Sequence, residues 1–154
     1  MFRETIGDVW KFLPRRVRAK IIRVTQPKFT ASAAAVVLNQ EREVLLLNHV
    51  LRPGSGWGLP GGFLRKGEQP EEGIRREIRE EIDLELDSLA MFSVRTVGSH
   101  IEIIFSARAA GEPKVISREI YELGWFDPDS MPTKLSISQK NVINKVTNLT
   151  FDKN

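Results

Sequence analysis

The chain has 154 residues, 41% of them hydrophobic, and a formal net charge of +3. This length and apolar content are enough for one compact domain with its own core, and a second domain is not expected. The absence of cysteine excludes disulfides, thiolate zinc sites and cysteine nucleophiles. Because the longest wholly apolar run covers only residues 33–38, and charges are scattered through the first 25 positions, the sequence predicts neither a membrane span nor a secretory signal, and hence a cytoplasmic protein.

The basic character of the chain lies in its N-terminal segment. Residues 1–28 contain eight Lys or Arg against Glu4 and Asp8, which gives this segment a net charge of +6 and leaves −3 for the rest. Apolar residues recur there at helix-like intervals that Pro14 interrupts, so two short amphipathic helices are predicted. These residues are Ile6, Val9, Trp10, Leu13, Val17, Ile21 and Val24. We expect the segment to pack on the domain of residues 29–154, or on a second subunit of a homodimer, in preference to contacting nucleic acid or a membrane.

Two strands are predicted ahead of the central part of the chain. Residues 30–38 are apolar and rich in small and β-branched residues, and residues 43–49 follow a polar turn at residues 39–42. The two runs are therefore predicted to form an antiparallel pair. A loop at residues 53–56 then leads to residues 57–60, which have the pattern of a short strand before a pair of glycines.

A helix is predicted from about Pro70 to Ile82. Proline suits the first turn of a helix, where its missing N–H is not needed, and the two glutamates that follow it lie near the positive end of the helix dipole. Ile74, Ile78 and Ile82 recur every four residues and form one apolar stripe, which must pack on the body of the protein. Because Gln69 is a weaker N-cap type than Ser, Thr, Asp or Asn, the start of the helix is expected to be weakly capped.

The same helix carries a cluster of carboxylates. At roughly 100° per residue, Glu77, Glu80 and Glu81 fall in one arc of about 100° that touches the apolar stripe, so they point towards a half-buried edge. Glu77 and Glu81 repel each other, and partial burial increases that repulsion. A divalent cation would reverse its sign, and oxygen ligands of this kind suit Mg²⁺ or Mn²⁺. The alternative is a solvated helix in which arginines pair with glutamates; composition alone favours it, but it does not explain the fixed spacing from the preceding glycines.

That spacing resembles a known signature. Gly62 is followed by five residues, then by Glu68, seven residues and the run from Arg76 to Leu84. The pattern resembles the signature of the Nudix hydrolases, which cleave diphosphate bonds with divalent cations, at every position but one. The exception is Asp83, which stands where the signature has a glycine just past the helix. Because Asp tolerates a left-handed backbone better than most residues, the change bears on helix termination and not on metal binding.

The resemblance implies roles for individual residues. By position in the signature, the divalent cations would be held by Glu77, Glu80, Glu81 and the backbone carbonyl of Gly61. Glu68 and Arg76 would pair with each other and hold the loop against the helix. The arginine guanidinium suits this task because it can donate two hydrogen bonds to one carboxylate.

The resemblance leaves the general base open. Glu80 is one candidate, and Glu119, an acid in a later loop, is the rival, with Glu122 less favoured. A solvated loop carboxylate is an equally good interpretation of Glu119. Trp57 is interpreted as a core residue, because large aromatic side chains at strand ends usually pack. Three further residues are interpreted as structural or solvent-facing and left out of the predicted site: His49, Arg52 and His100.

More strands and a final helix are predicted after the carboxylate helix. Residues 89–97 and 101–109 flank a Gly-Ser pair and predict a hairpin, and residues 121–126 predict a further strand. Ser136 and Gln139 look like a capping box that opens the last helix. Its apolar face would comprise Ile137, Val142, Ile143, Val146 and Leu149. This order implies an α/β fold with a mixed sheet covered on both faces, and the Nudix resemblance implies the same α/β/α sandwich.

The implied reaction is hydrolysis of a small nucleoside diphosphate derivative, such as a nucleotide sugar or ADP-ribose, with Mg²⁺ or Mn²⁺. An alternative within enzymes is hydrolysis of a nucleoside triphosphate or of the 5′ end of RNA, to which the basic N-terminal segment gives some weight. A third alternative is a Nudix-like nucleotide-binding module that has lost catalysis. The intact carboxylate set argues against the binding module, because loss of hydrolysis is expected to show first as substitutions at these glutamates.

Overall fold

The computed structural model describes residues 10–51 and 56–151. Its elements in chain order are α1 (Arg15–Thr25), β1 (Thr30–Leu38), β2 (Val44–His49), β3 (Trp57–Gly58), β4 (Gly61–Phe63), α2 (Pro70–Ile82), β5 (Leu86–Val97), β6 (His100–Ala109), β7 (Ile120–Phe126) and α3 (Ile137–Phe151). Within these described residues, no helix is both long enough and apolar enough to cross a membrane.

The strands form one mixed sheet. Its main path runs β3-β2-β1-β6-β5, with β4 added to β1 and β7 added to β2. The β1–β2 pair is antiparallel, as predicted, whereas β1 and β6 are parallel and pair along the whole length of β1. The predicted hairpin is also present between β5 and β6, where Val97 pairs with His100 and Gly98 adopts a φ of 58°.

Each face of the sheet carries one helix, because side chains along β1 and β2 alternate between the two faces. The first core layer joins one set of strand residues to the predicted stripe of α2: Ala33, Ala35, Val37, Leu45, Leu47, Ile74, Ile78 and Ile82. The second joins the alternate set to α3: Val36, Leu38, Val44, Leu46, Val142, Ile143 and Val146. The predicted α/β/α sandwich is confirmed.

Helix α2 begins and ends at the predicted residues, and both of its ends are satisfied locally. At the start, the Gln69 N–H donates to the Glu72 carboxylate at 3.3 Å, so the acid in the first turn compensates for the weak N-cap type. At the end, Asp83 adopts φ 49° and ψ 39°, and its N–H donates to the Arg79 carbonyl at 3.1 Å. Asp83 therefore terminates the helix in the left-handed conformation that the usual glycine would adopt.

Three predicted strand starts move to an earlier residue. β5 begins at Leu86 and not at residue 89, and β6 and β7 each begin one residue before the prediction. The largest shift has a physical cause, because the β5–β6 register is irregular between Asp87 and Ala90 and Ser88 adopts a φ of 50°. A bulge of this kind breaks the alternation of side chains on which a strand prediction depends.

Helix α3 departs from its prediction in two ways. Ser136 Oγ accepts a hydrogen bond from the Gln139 N–H at 3.2 Å, as expected of an N-cap. The Gln139 side chain does not complete the capping box, and its Oε1 accepts instead from the Leu59 N–H at 3.2 Å. The inclusion of Ile137 and Leu149 in the apolar face was wrong, since they are 77% and 55% exposed. Only the middle turns of α3 lie over the sheet.

The N-terminal segment is helical on both sides of Pro14, with α1 beginning at Arg15 and residues 10–12 also helical. Residues 1–9, which include Ile6 and Val9, lie outside the described residues. No residue of α1 is buried. Packing of this helix on its own domain or on a second subunit stays a prediction, as does the boundary between residues 1–28 and 29–154.

Candidate active site

The segment that carries Gly61 and Gly62, here named the glycine loop, lies directly against helix α2. Strand β4 pairs with β1, so that Gly61 stands opposite Ala34 and Gly62 opposite Ala33. Gly61 has a φ of 149°, and a Cβ at this position would lie 2.2 Å from the Ala33 carbonyl oxygen. A Cβ on Gly62 would lie 2.5 Å from the carboxyl carbon of Glu77. Glycine at these two positions therefore lets the backbone approach both the sheet and the first carboxylate of the helix.

Arg76 is the centre of the carboxylate cluster. Its Nε and Nη2 donate to the two oxygens of Glu68 at 2.6 and 3.0 Å, which is the predicted contact between loop and helix. Its Nη1 also donates to Glu77 at 2.7 Å and to Glu80 at 3.2 Å. The Arg76 side chain is only 15% exposed. One largely shielded cation thus organises three of the glutamates of the signature.

The contact with Arg76 changes the acidity of Glu68. The hydrogen bonds from the Arg76 guanidinium, reinforced by the Arg65 N–H at 2.7 Å, lower the pKa of Glu68 from 4.5 to about 2. The same contact with Glu68 raises the pKa of Arg76. Both groups therefore stay ionised at neutral pH, and the loop remains attached to the helix.

We expect the stabilisation that Glu68 provides to depend on pH. Because its pKa is lower in the folded protein, the parent chain should be more stable than Glu68→Gln above about pH 4.5 and should lose this advantage as the pH falls towards about 2. Urea unfolding of both proteins across this range measures the difference. Glu112→Gln, at an exposed acid, is the control that should show no such convergence. A difference that is constant with pH would contradict the assignment.

The three glutamates of the arc differ in burial, as their position beside the apolar stripe predicts. Glu81 is 6% exposed, whereas the side chains of Glu77 and Glu80 are 19% and 50% exposed. Glu80 also accepts two hydrogen bonds from Arg65, each of 3.2 Å. Arg65 was not singled out from the sequence, although its position among the five residues between Gly62 and Glu68 was an available signal.

A later loop is attached to the end of α2 that carries Glu81. The Glu81 carbonyl accepts from the N–H groups of Ile116 and Ser117 at 3.0 and 3.2 Å, and the Ile82 carbonyl accepts from that of Lys114 at 2.8 Å. Residues 114–117 thereby lie against the C-terminal end of the carboxylate helix, and Glu119 follows two residues later. Sequence reasoning missed this attachment, because main-chain hydrogen bonds of this kind leave no side-chain signature.

The two later acids have different surroundings. Glu119 is exposed, and its main-chain N–H donates to Ser117 Oγ at 3.1 Å. Glu122 accepts a hydrogen bond from Asn48 Nδ2 at 2.9 Å, so its carboxylate is already engaged on the sheet.

Trp57, His100 and Arg52 were interpreted as residues outside the site, and the structure describes the first two. The Trp57 ring lies 5.0 Å from that of Phe126, edge to face, and packs against the second core layer, as its interpretation as a core residue predicts. His100 lies between Thr30 Oγ1 and Ser32 Oγ, at 2.8 and 2.9 Å. Arg52 lies outside the described residues.

The donor set fits a hard divalent cation. Glu77, Glu80 and Glu81 supply only oxygen ligands and formal negative charge, and the glycine backbone can approach them closely. Within the described parts of the chain, no group of three His, Asp or Glu is already gathered as a metal cage. Because Arg76 engages Glu77 and Glu80, metal binding by the predicted set would require these side chains to turn. The metal ligands therefore stay a prediction.

Comparison with known proteins identifies the domain. The family model described as NUDIX domain matches residues 28–146. The chain belongs to the Nudix hydrolase family. This confirms the resemblance that rested on the spacing from Gly62 to Leu84.

This chain matches very different shares of the length of its Nudix relatives. The mouse 8-oxo-dGDP phosphatase NUDT18 is 36% identical over 107 residues, which are 66% of this chain and 33% of that protein. A MutT-like protein of Streptomyces ambofaciens is 30% identical over 113 residues, or 71% of each chain. Among solved structures, the MutT NUDIX hydrolase of Burkholderia pseudomallei matches with a TM-score of 0.68 and 27% identity, covering 77% of this chain and 98% of that one. The chain thus spans about a third of the length of NUDT18.

Proposed function

We propose that this Nudix domain is a divalent-metal-dependent pyrophosphohydrolase that cleaves the diphosphate bond of a nucleoside diphosphate derivative. The observation that carries the proposal is the packing of the glycine loop against the carboxylate arc of α2, with Gly62 directly beside Glu77. The activities for which two relatives are named support the substrate class: the mouse 8-oxo-dGDP phosphatase and an ADP-ribose pyrophosphatase of Methanocaldococcus jannaschii.

Each part of the site has a distinct task in this proposal. The three arc glutamates and the Gly61 carbonyl would hold Mg²⁺ or Mn²⁺. When bound, the cation would supply charge neutralisation for phosphate oxygens and would lower the pKa of a water. Glu68 fixes Arg76, and Arg76 balances the charge of Glu77 and Glu80 through its Nη1 hydrogen bonds until these side chains turn towards the cation. Glu119 takes the proton of the attacking water, since its carboxylate is exposed whereas that of Glu80 is engaged by two arginines.

Substitution of the two candidate bases tests this last assignment. Glu119→Gln should lower turnover at least about tenfold, with metal affinity nearly unchanged and the acidic limb of the pH–rate profile displaced. Glu80→Gln should weaken metal binding as well. Steady-state kinetics across pH, with a parallel Mn²⁺ titration, separates the two signatures, and Glu112→Gln is the matched exposed control. If Glu80→Gln alone displaces the acidic limb, Glu119 is not the base.

A second candidate function is hydrolysis of a nucleoside triphosphate. A putative 8-oxo-dGTP diphosphatase of Bacillus subtilis is 29% identical over 129 residues, which are 82% of this chain and 85% of that protein. A capped or 5′-diphosphorylated RNA is less favoured, although NAD-capped RNA hydrolases also match this chain.

One substrate panel distinguishes these candidates. The full chain would be incubated with Mg²⁺ or Mn²⁺ and, in turn, with ADP-ribose, nucleotide sugars, nucleoside diphosphates, nucleoside triphosphates and 5′-capped RNA, and the products would be separated and identified. We expect cleavage between two phosphates of the diphosphate derivatives to be fastest. Faster turnover of triphosphates would favour the second candidate, and inactivity throughout with retained nucleotide binding would favour a binding module.

A further inference from the structure

Helix α1 has a basic arc and a narrow apolar stripe. Its basic residues are Arg15, Arg16, Arg18, Lys20 and Arg23, and it contains no acid. At roughly 100° per residue, Val17, Ile21 and Val24 fall within about 60° of one another, and the cations occupy most of the remaining circumference. The helix is therefore amphipathic and all of its charges are positive, although Ala19 and the 49% exposed Ile22 lie among the cations.

The apolar stripe of α1 faces outwards. Val17, Ile21 and Val24 are 41%, 38% and 75% exposed, and none of the residues of α1 is buried. The stripe lies in a shallow depression whose lining includes Arg16, Val17, Lys20, Ile21, Val24 and Thr25. Two cations thus flank the exposed aliphatic side chains along one edge. Phe12, just before Pro14, adds an aromatic ring that is 89% exposed.

The charge pattern distinguishes between the surfaces that could cover this stripe. Two copies of α1 would repel each other, and three partly exposed aliphatic side chains offer far less than the roughly 800 Å² per partner that a stable protein interface buries. Nucleic acid would engage the cations through its phosphates but would leave the aliphatic stripe in water. An anionic lipid surface accommodates both the aliphatic stripe and the cations of α1. The aliphatic side chains enter the acyl boundary, while Lys and Arg reach the head-group phosphates.

We propose that α1 is a peripheral membrane-binding helix that attaches this Nudix domain to anionic lipid surfaces. The helix lies in the plane of the interface, with the apolar stripe towards the acyl chains. Arg16, Arg18 and Lys20, which border the stripe, lie at head-group level. The attachment is reversible and depends on salt, because the stripe is narrow and the charges supply much of the attraction. This inference does not depend on the substrate proposed for the active site.

Vesicle flotation of the full chain tests the attachment. Vesicles of phosphatidylcholine with about one third phosphatidylglycerol should retain the chain at low salt, and vesicles of phosphatidylcholine alone should not. Val17→Asn with Ile21→Asn, and separately Arg16→Gln with Lys20→Gln, should each reduce the bound fraction at least about fivefold. The matched control is Met91→Asn with Val94→Asn, which removes two exposed apolar side chains of β5 and should leave binding unchanged.

Single-cysteine labelling tests the orientation, and the absence of native cysteine makes the label specific. A polarity-sensitive dye on Val24→Cys should shift to the blue on anionic vesicles, whereas the same dye on Arg23→Cys should shift little, because these positions lie about 100° apart on the helix. Equal binding to both vesicle types, equal shifts of both dyes, or no binding at all would overturn the proposal. Dimerisation abolished by the Val17→Asn and Ile21→Asn pair would overturn it in favour of a second copy, and salt-dependent retention of RNA without vesicle binding would overturn it in favour of nucleic acid.

Discussion

Glu81→Gln should lower turnover by at least about a hundredfold while leaving the fold intact. Glu81 is the most buried carboxylate of the arc, at 6% exposure, and lies beside the apolar stripe that fixes α2 on the sheet. Glutamine has nearly the same shape, so the substitution removes charge from the proposed cation shell without opening a cavity. The effect should therefore appear in catalysis and not in packing.

The measurement combines kinetics with melting curves. Glu71→Gln, an exposed acid in the first turn of the same helix, is the matched control and should retain parental turnover at saturating and at limiting Mg²⁺. The parent should gain more stability from added metal than Glu81→Gln does, since a ligand that binds only the folded state stabilises it by mass action. A Glu81→Gln protein as active as the parent at limiting Mg²⁺ would refute its assignment as a metal ligand.

Gly61→Ala should lower the stability of the protein, whereas Gly62→Ala should lower its turnover. The new Cβ at Gly61 would meet the Ala33 carbonyl oxygen at 2.2 Å on a backbone with φ 149°, so this variant should lose about 2–4 kcal/mol of stability. The three atoms nearest to a Cβ at Gly62 all belong to the carboxyl group of Glu77, the far end of a side chain that can swing aside. Gly62→Ala should therefore keep its melting temperature but lose roughly a hundredfold in turnover, because a small displacement of a reacting group is enough for such a loss.

Thermal unfolding and kinetics of both variants separate the two effects. Gly67→Ala is the control for conformational strain alone, since Gly67 has a φ of 83° and a Cβ there would meet no other atom within 4 Å. Gly67→Ala should lower the stability of the protein modestly and leave its turnover unchanged. Parental turnover in Gly62→Ala would mean that the position of Glu77 does not matter for the reaction.

The elements that could be predicted from sequence are those set by local periodicity and end signals. Helix α2 extends from Pro70 to Ile82 as predicted, because a proline start, an isoleucine stripe and a left-handed residue at its end all act within a few residues. The contact between Glu68 and Arg76 could be predicted only through the family resemblance, since eight residues and a change of backbone direction separate the two.

The features that were missed depend on distant parts of the chain. Nothing near Gln139 indicates that its side chain binds the Leu59 N–H, and the choice between this contact and a closed capping box is made by the docking of α3 on the sheet. The exposure of Ile137 and Leu149 has the same origin, because periodicity marks an apolar face but not how far the sheet extends beneath it. In helix α1 the apolar stripe could be recognised from the sequence, but the surface that covers it could not.

The contact between Gln139 and Leu59 also sets an order of events during synthesis. Leu59 lies two residues before the glycine loop, and its partner follows 80 residues later in the chain. At about 5–20 residues per second, a ribosome adds Gln139 roughly 4–16 s after Leu59. Helix α2 is completed within that interval, 23 residues after Leu59, and before Gln139 is added. The Leu59 N–H therefore gains its partner late, when the last helix covers the second face of the sheet.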